Sequence, residues 1–397
     1  MITIRNTSQA HLLVQKIPIC FTHAYSTIPN SPTDPYTEKV NKARFDCIQQ
    51  LTKADPSTLL ISKLYPEYLR DSFIAFKSLN LELSKISFGF QPGATNKSKE
   101  FNNLKFQFWL QQLEKCKGLN NDNASSLFLD INEPCTILLA DIVLKNLNFS
   151  FDMINQMVHS HQHFYNNNSS SGFRNVDEIC SFGEGTHSQI NYLMQSVLLS
   201  PQLTGFSTLG INLLELPNSN ELRNNLTDIS AHLGQATSIG SFLIGLKYFA
   251  EKKQTLMLPT DSLIKYRLPE EICLRYLQGE PLEDAQHVKE LMKNVVFDIA
   301  TLANDHIITA RSKLNDAKDM VKQLANDNNR SDLISLLKKE KKSFPECFFL
   351  PYMSGLPTIL YLERLEKHDF DVLHPKLSFK EWRLAFCVWN AERTRSL

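Results

Sequence analysis

Leu226, Ile229, Leu233, Ala236, Gly240 and Leu243 recur at steps of three and four, the spacing of one buried face on a long helix near residues 221–251. Gly234, Ala236, Gly240 and Gly245 keep that helix slim, so a neighbour can come close to its backbone. A second stripe, Leu69, Phe73, Phe76, Leu79, Leu83 and Ile86, predicts a helix over 66–87, with Pro66 suited to its first turn. The same period predicts helices near 36–53, 97–117, 133–147, 149–164, 176–200, 269–278, 285–325, 346–366 and 377–392. Polar breaks separate them, and the low-complexity ones at 120–126 and 166–172 read as expanded surface loops. Period-2 runs are few, and Gly (13) and Pro (17) are sparse, which points to an all-α chain. No internal repeat is found.

Two of these helices carry an informative absence. The segment from Gly234 resembles the second signature helix of the squalene/phytoene synthase family, which runs roughly G-x-A-x-Q-L-T-N-x-x-R-D-x-x-x-D and leads to Leu-Pro. Gly234, Ala236, Leu258 and Pro259 match. Ser241 stands at the Asn, Ile244 at the Arg, and Gly245 and Phe249 at the two Asp positions. The helix at 66–87 resembles the first signature, R-x-x-x-x-A-x-x-x-F-x-R-x-x-D-D-x-x-D. Arg70 and Ala75 match, Leu79 and Leu81 stand at the Phe and second Arg, and Ser84, Lys85 and Phe88 replace the three Asp. Phe182 stands where the family's diphosphate-contacting Tyr would be, and His187-Ser188 where Ala-Gly would follow. Phe106-Gln107-Phe108-Trp109 looks like the family's Phe-Trp helix.

The resemblance, over about residues 40–390, implies a single helical isoprenoid-synthase-like domain with a central cavity. In such enzymes two facing Asp-x-x-x-Asp helices hold Mg²⁺ ions that neutralise a leaving pyrophosphate. Acids four apart share a helix face and so share hard cations; Gly and Phe cannot ligate them. The resemblance therefore implies no metal, no cofactor and no catalytic residue here. Ser84, Phe88, Phe182, Ser241, Ile244, Gly245 and Phe249 become degenerate active-site positions. Carboxylates four apart do occur at Glu67/Asp71 and Glu280/Asp284. The first pair lies too early on its helix, where solvated acids favour the dipole, and the second is in a loop-like stretch with Pro281.

The segments FKSLNLEL, LMLPTDSL, VVFDIATLANDHI and DFDVLHP, the last followed by a terminal Trp-rich helix, resemble a non-enzymatic branch of that family. This branch implies a part in building respiratory NADH:ubiquinone oxidoreductase (complex I), with its subunits or assembly intermediates as partners. The reading is thus a pseudoenzyme. The alternatives are a divergent prenyl diphosphate transferase, which would need a rebuilt metal site, and an isoprenoid- or lipid-binding protein, favoured by Phe88, Ile244 and Phe249 in place of polar ligands.

Composition narrows this further. Forty-two basic residues balance 42 acidic ones, so no excess of charge points to nucleic acid. The first 33 residues hold no Asp or Glu but carry Arg5 and Lys16, with Leu12, Leu13 and Ile17 able to share a helical face. That is the pattern of a mitochondrial transit segment, with the helical domain then running over 34–397. No run of about 18 apolar residues occurs, so contact with the inner membrane, on its matrix side, would be peripheral. Lys338-Lys339-Glu340-Lys341-Lys342 is a short basic run, either a solvated loop or a contact for anionic lipid headgroups. Eight scattered cysteines without a Cys-x-x-Cys suit a reducing matrix.

His159 and His163 sit at i, i+4, as zinc ligands on a helix would, but no Glu follows the first in the H-E-x-x-H manner, and an exposed helix end is expected. Gly183-Glu184-Gly185 lacks the third glycine and the preceding strand of a dinucleotide fingerprint. Trp109, Trp382 and Trp389 lie in helical patterns, as core or interface aromatics.

Overall fold

Asp55, Glu133 and Asn175 show how local chemistry starts the helices. Asp55 Oδ1 accepts the Thr58 N–H at 3.3 Å ahead of the short helix Pro56–Ser62. Glu133 Oε2 accepts the Thr136 N–H at 2.6 Å, and Asn175 Oδ1 the Glu178 N–H at 3.0 Å. Each satisfies a donor that the first helical turn leaves over. The computed structural model describes residues 34–89, 96–120, 124–167 and 172–397. The transit segment expected over 1–33 lies outside the described residues. Lys39–Leu397 close on one another as one unit; of the other, Met1–Glu38, only residues 34–38 are described.

The principal helices in chain order are α1 (Pro35–Ala54), α2 (Glu67–Ser87), α3 (Asn96–Lys117), α4 (Phe151–Asn167), α5 (Val176–Gly183), α6 (Gln189–Leu198), α7 (Asn220–Tyr248), α8 (Ala285–Asp327), α9 (Leu356–Lys367) and α10 (Leu384–Thr394). Among the described residues there is no strand. Most expected helices are met within a few residues, but the one expected over 377–392 begins only at Leu384, after a 3₁₀ turn over Pro375–Ser378, and two others carry informative breaks. The stretch 346–366 divides into Glu346–Phe349, a 3₁₀ turn over Leu350–Gly355 and α9. Pro351 and Pro357 lack the N–H that would continue the α ladder. The stretch 176–200 carries a π turn, Glu184–Ser188, between α5 and α6.

α7 is the axis of the packing. It lies against α8 along its length and meets α5, the π turn, the 3₁₀ turn at 350–355 and α9. The small residues act as the sequence implied. A Cβ on Gly234 would come within 2.1 Å of Ser188 Oγ and 2.4 Å of Ser188 N, and one on Gly240 within 2.6 Å of Thr358 Cγ2. α2 packs against Pro134–Leu144, α4 and α6, so α2 and α7 both border α6.

One expectation is corrected. Asp71 is not a solvated helix-start acid: it is buried, and Arg44 donates to it from Nε at 2.6 Å and from Nη2 at 2.5 Å. This two-point ion pair ties α2 to α1 and removes Asp71 from any metal-binding role. Glu280 and Asp284 do lie outside helices, and Arg275 donates to Glu280 at 2.9 Å.

Candidate functional site

Phe88 closes the C-terminal end of α2, and its ring is the hub of an aromatic cluster. Its centroid lies 4.9 Å from that of Phe164 on α4, 5.4 Å from Phe249, 5.7 Å from Phe242 on α7 and 6.1 Å from Phe182 on α5. Phe173 completes the set, 4.7 Å from Phe242 and 5.2 Å from Phe164. The pairs are tilted or edge-to-face, the geometry the ring quadrupole favours, and each adds about 0.5–1.5 kcal/mol beyond simple burial. Phe164, Phe173, Phe182, Phe242 and Phe249 are all buried. Six rings thus occupy the place where the ends of α2, α5 and α7 converge.

The seven positions singled out from the sequence divide accordingly. Phe88, Phe182 and Phe249 meet in this cluster. Gly245 stands beside it: a Cβ there would come 2.8 Å from Phe249 Cε2, so the missing side chain is what lets that ring fold back on its own helix. Ser84 donates its hydroxyl to Asn80 O at 2.7 Å, and Ser241 donates to Thr237 O at 2.7 Å, so both spend their donor within their own helix. Ile244 is 58% exposed and does not join the rings. Among the described residues, no three or more His, Cys, Asp or Glu are placed to hold a metal ion.

A buried polar network lies next to the rings. The ring of His161 sits 5.1 Å from that of Phe182. His161 Nδ1 is 2.7 Å from Ser87 Oγ and Nε2 is 3.0 Å from Asn80 Oδ1. A neutral imidazole, donating from Nε2 and accepting at Nδ1, meets both contacts. Burial, and then the nearby His187, pull its pKa down to about 3. His187, on the π turn, is also lowered to about 3, first by burial and then by the Lys77 ammonium, with Asp55 opposing. Lys77 itself pairs with Asp55 at 3.0 Å. These groups position α2 against α4 and the π turn, and both histidines are held neutral near neutrality.

His159 and His163 are exposed, as an exposed helix end requires. Along with Ser160, Arg174 and the rings of Phe164, Phe173 and Phe182, they line a half-open groove of about 770 Å³. The π turn is clamped from two sides, since a Cβ on Gly185 would reach within 2.0 Å of Ser160 Oγ and one on Gly234 would strike Ser188. Sequence reasoning missed Phe164, Phe173, Phe242 and His161. Phe242 and Phe249 lie seven apart, one helical face, which was the available signal; nothing local marks the others.

Comparison with known proteins sets this geometry in context. The model of the squalene/phytoene synthase family matches residues 51–383. A Mus musculus protein named "NADH dehydrogenase (ubiquinone) complex I, assembly factor 6" is 22% identical over 343 residues, covering 86% of this chain and 80% of its own. Its Homo sapiens counterpart of the same name is likewise 22% identical over 343 residues, with the same coverage. A crystal structure of a dehydrosqualene synthase with bound ligand superposes with a TM-score of 0.52 at 11% identity, covering 90% of this chain and 98% of that one. That last likeness shows the fold.

Proposed function

The chain belongs to the squalene/phytoene synthase family, and from that premise we propose that it keeps the helical body without the chemistry, as a non-catalytic assembly factor for mitochondrial respiratory complex I. One observation carries the loss of chemistry. Where the family resemblance sets two acid-bearing helices across a metal cluster, Phe88 and Phe249 are in ring contact and three further phenylalanines close around them. Apolar rings neither ligate Mg²⁺ nor stabilise a departing pyrophosphate. On this reading Ser84, Phe88, Phe182, Ser241, Ile244, Gly245 and Phe249 are the vestiges of the catalytic positions.

The names of the mouse and human relatives supply the role, and complex I subunits or assembly intermediates the partners. The location follows: mitochondrial, with 1–33 as the import segment and peripheral attachment to the matrix side of the inner membrane. Among the described residues, no helix is long and apolar enough to cross a membrane. The alternative of an isoprenoid-binding protein is the weaker one, because the rings that would greet a prenyl chain already pack on each other.

The test is native-gel activity staining of complexes I to IV in cells lacking this chain. Selective loss of complex I with complex IV intact supports the assembly role. Normal complex I beside an altered sterol, carotenoid or quinone profile would overturn it in favour of an enzyme.

A further inference from the structure

We propose that the C-terminal aromatic face of this chain docks on an anionic lipid surface, with Phe379, Trp382, Phe386 and Trp389 entering the headgroup region and the adjoining lysines meeting lipid phosphates. α10 buries Leu384, Val388 and Ala391 against the body. Its opposite side carries Phe386 and Trp389, and the segment leading into it carries Phe379 and Trp382. Trp382 is 84% exposed, Phe379 68%, Phe386 65% and Trp389 51%. Phe386, Trp389 and Arg393 share one face of α10, and Trp382 lies in the turn just before it. Together the four rings offer roughly 500 Å² of aromatic surface to solvent, as much as the largest patch on an ordinary monomer.

The charges around the rings select the occupant. Glu363, Glu381 and Glu392, the acids beside α10, are each engaged by a cation, while Glu340 sits inside the basic run. Arg383 holds Glu381 at 3.0 Å and Glu363 at 3.3 Å, and Lys341 and Arg395 hold Glu392. By contrast Lys376, Lys380, Lys338, Lys339, Lys342 and Arg393 form no ion pair among the described residues. Arg393 lies over the Trp389 ring at 5.5 Å. The Lys341–Glu392 pair fastens the basic run at 338–342 to α10, so a cluster far off in sequence becomes part of the same face. Exposed Trp and Phe ringed by unpaired Lys and Arg is the composition that settles at a bilayer interface.

This inference rests on the proposed role only for which membrane is met; the chemistry of the face is independent of it. The test is co-sedimentation of the full chain with phosphatidylcholine vesicles, with and without phosphatidylglycerol. The wild type should bind the anionic vesicles, more weakly as salt rises. Trp382→Ser/Phe386→Ser/Trp389→Ser should lower binding at least tenfold. Lys338→Ser/Lys339→Ser/Lys342→Ser should lower it severalfold and erase the preference for phosphatidylglycerol. Phe101→Ser/Leu104→Ser, at another exposed stripe, should leave it unchanged. Trp382→Ser alone, outside the helix, guards against misfolding of the triple variant and should itself lower binding measurably. A triple variant that binds like wild type overturns the proposal. So does a wild type that ignores both vesicles yet loses complex I subassemblies when the rings are removed, which would assign the face to a protein. Normal complex I in cells lacking the chain would sink the assembly role while leaving the vesicle series to decide the face.

Discussion

The rings of Phe88 and Phe249 meet at a tilt of 59° with centroids 5.4 Å apart, one at the end of α2 and the other at the end of α7. Two carboxylates in such positions would repel and hold the helices together only through bound cations. Two phenylalanines attract without any third party. The contact therefore closes the helix ends by apolar packing.

Turnover is expected to be absent. With farnesyl or geranylgeranyl diphosphate and Mg²⁺ or Mn²⁺, the purified chain should release no pyrophosphate above a heat-killed control. Release that scales with protein would contradict the role assigned to the ring cluster.

Restoring acids should destabilise. Gly245→Asp puts a side chain where the Phe249 ring lies 2.8 Å from a Cβ, and Phe249→Asp deletes a buried ring and leaves a carboxylate among apolar neighbours. Loss of a buried Phe alone costs about 3–5 kcal/mol, and the acid adds desolvation. The melting temperature of the double variant should fall by several degrees with no gain of activity. An unchanged melting curve would mean that this end of α7 does not pack as described.

Gly234→Ala tests a close approach of a helix to neighbouring backbone. The new Cβ would stand 2.4 Å from Ser188 N, a backbone atom that no rotamer change can move. α7 and the π turn must separate, at about 1–3 kcal/mol. Urea unfolding should show a lower midpoint with an unchanged slope, whereas Gly279→Ala, with nothing within 4 Å of its Cβ, is strained only through its φ of +78°.

Acid should weaken the fold through His161 and His187. Both are held to about 3, so between that value and the ordinary histidine pKa the unfolded chain binds protons that the folded chain refuses. Stability is then unaffected above about pH 6.5 and falls as pH drops below it, by about 1 kcal/mol per pH unit for each histidine. Urea midpoints at pH 7.5 and 5.5 measure the drop. His161→Gln should be less stable at pH 7.5 but lose less on acidification; an equal loss in both would refute the account.

The leader prediction concerns residues outside those described. A reporter fused to residues 1–40 should enter the mitochondrial matrix and be processed between about residues 21 and 30. A reporter that stays in the cytosol would refute it.

The sequence by itself determined that the chain is helical and that its acids are missing. A 3.6-residue period reports which face of each helix is buried, and a lost ligand is a matter of residue identity, legible at Gly245 or Phe88 without coordinates. It set Trp109 and Trp389 correctly in helices, but not Trp382, which lies in the turn before α10, and it did not tell that Trp382 and Trp389 are outside while Trp109 is buried. Tertiary structure alone decided what the buried faces meet. Phe88, Phe164, Phe173, Phe182, Phe242 and Phe249 come from five separate stretches, and no local rule brings them together. It also turned His161 inward between α2 and α4 while His159 and His163 stayed outside, gave Asp71 to Arg44, and fastened the basic run at 338–342 to α10. Periodicity encodes a helix's own geometry; contacts between helices depend on packing across the chain, which a single sequence does not display.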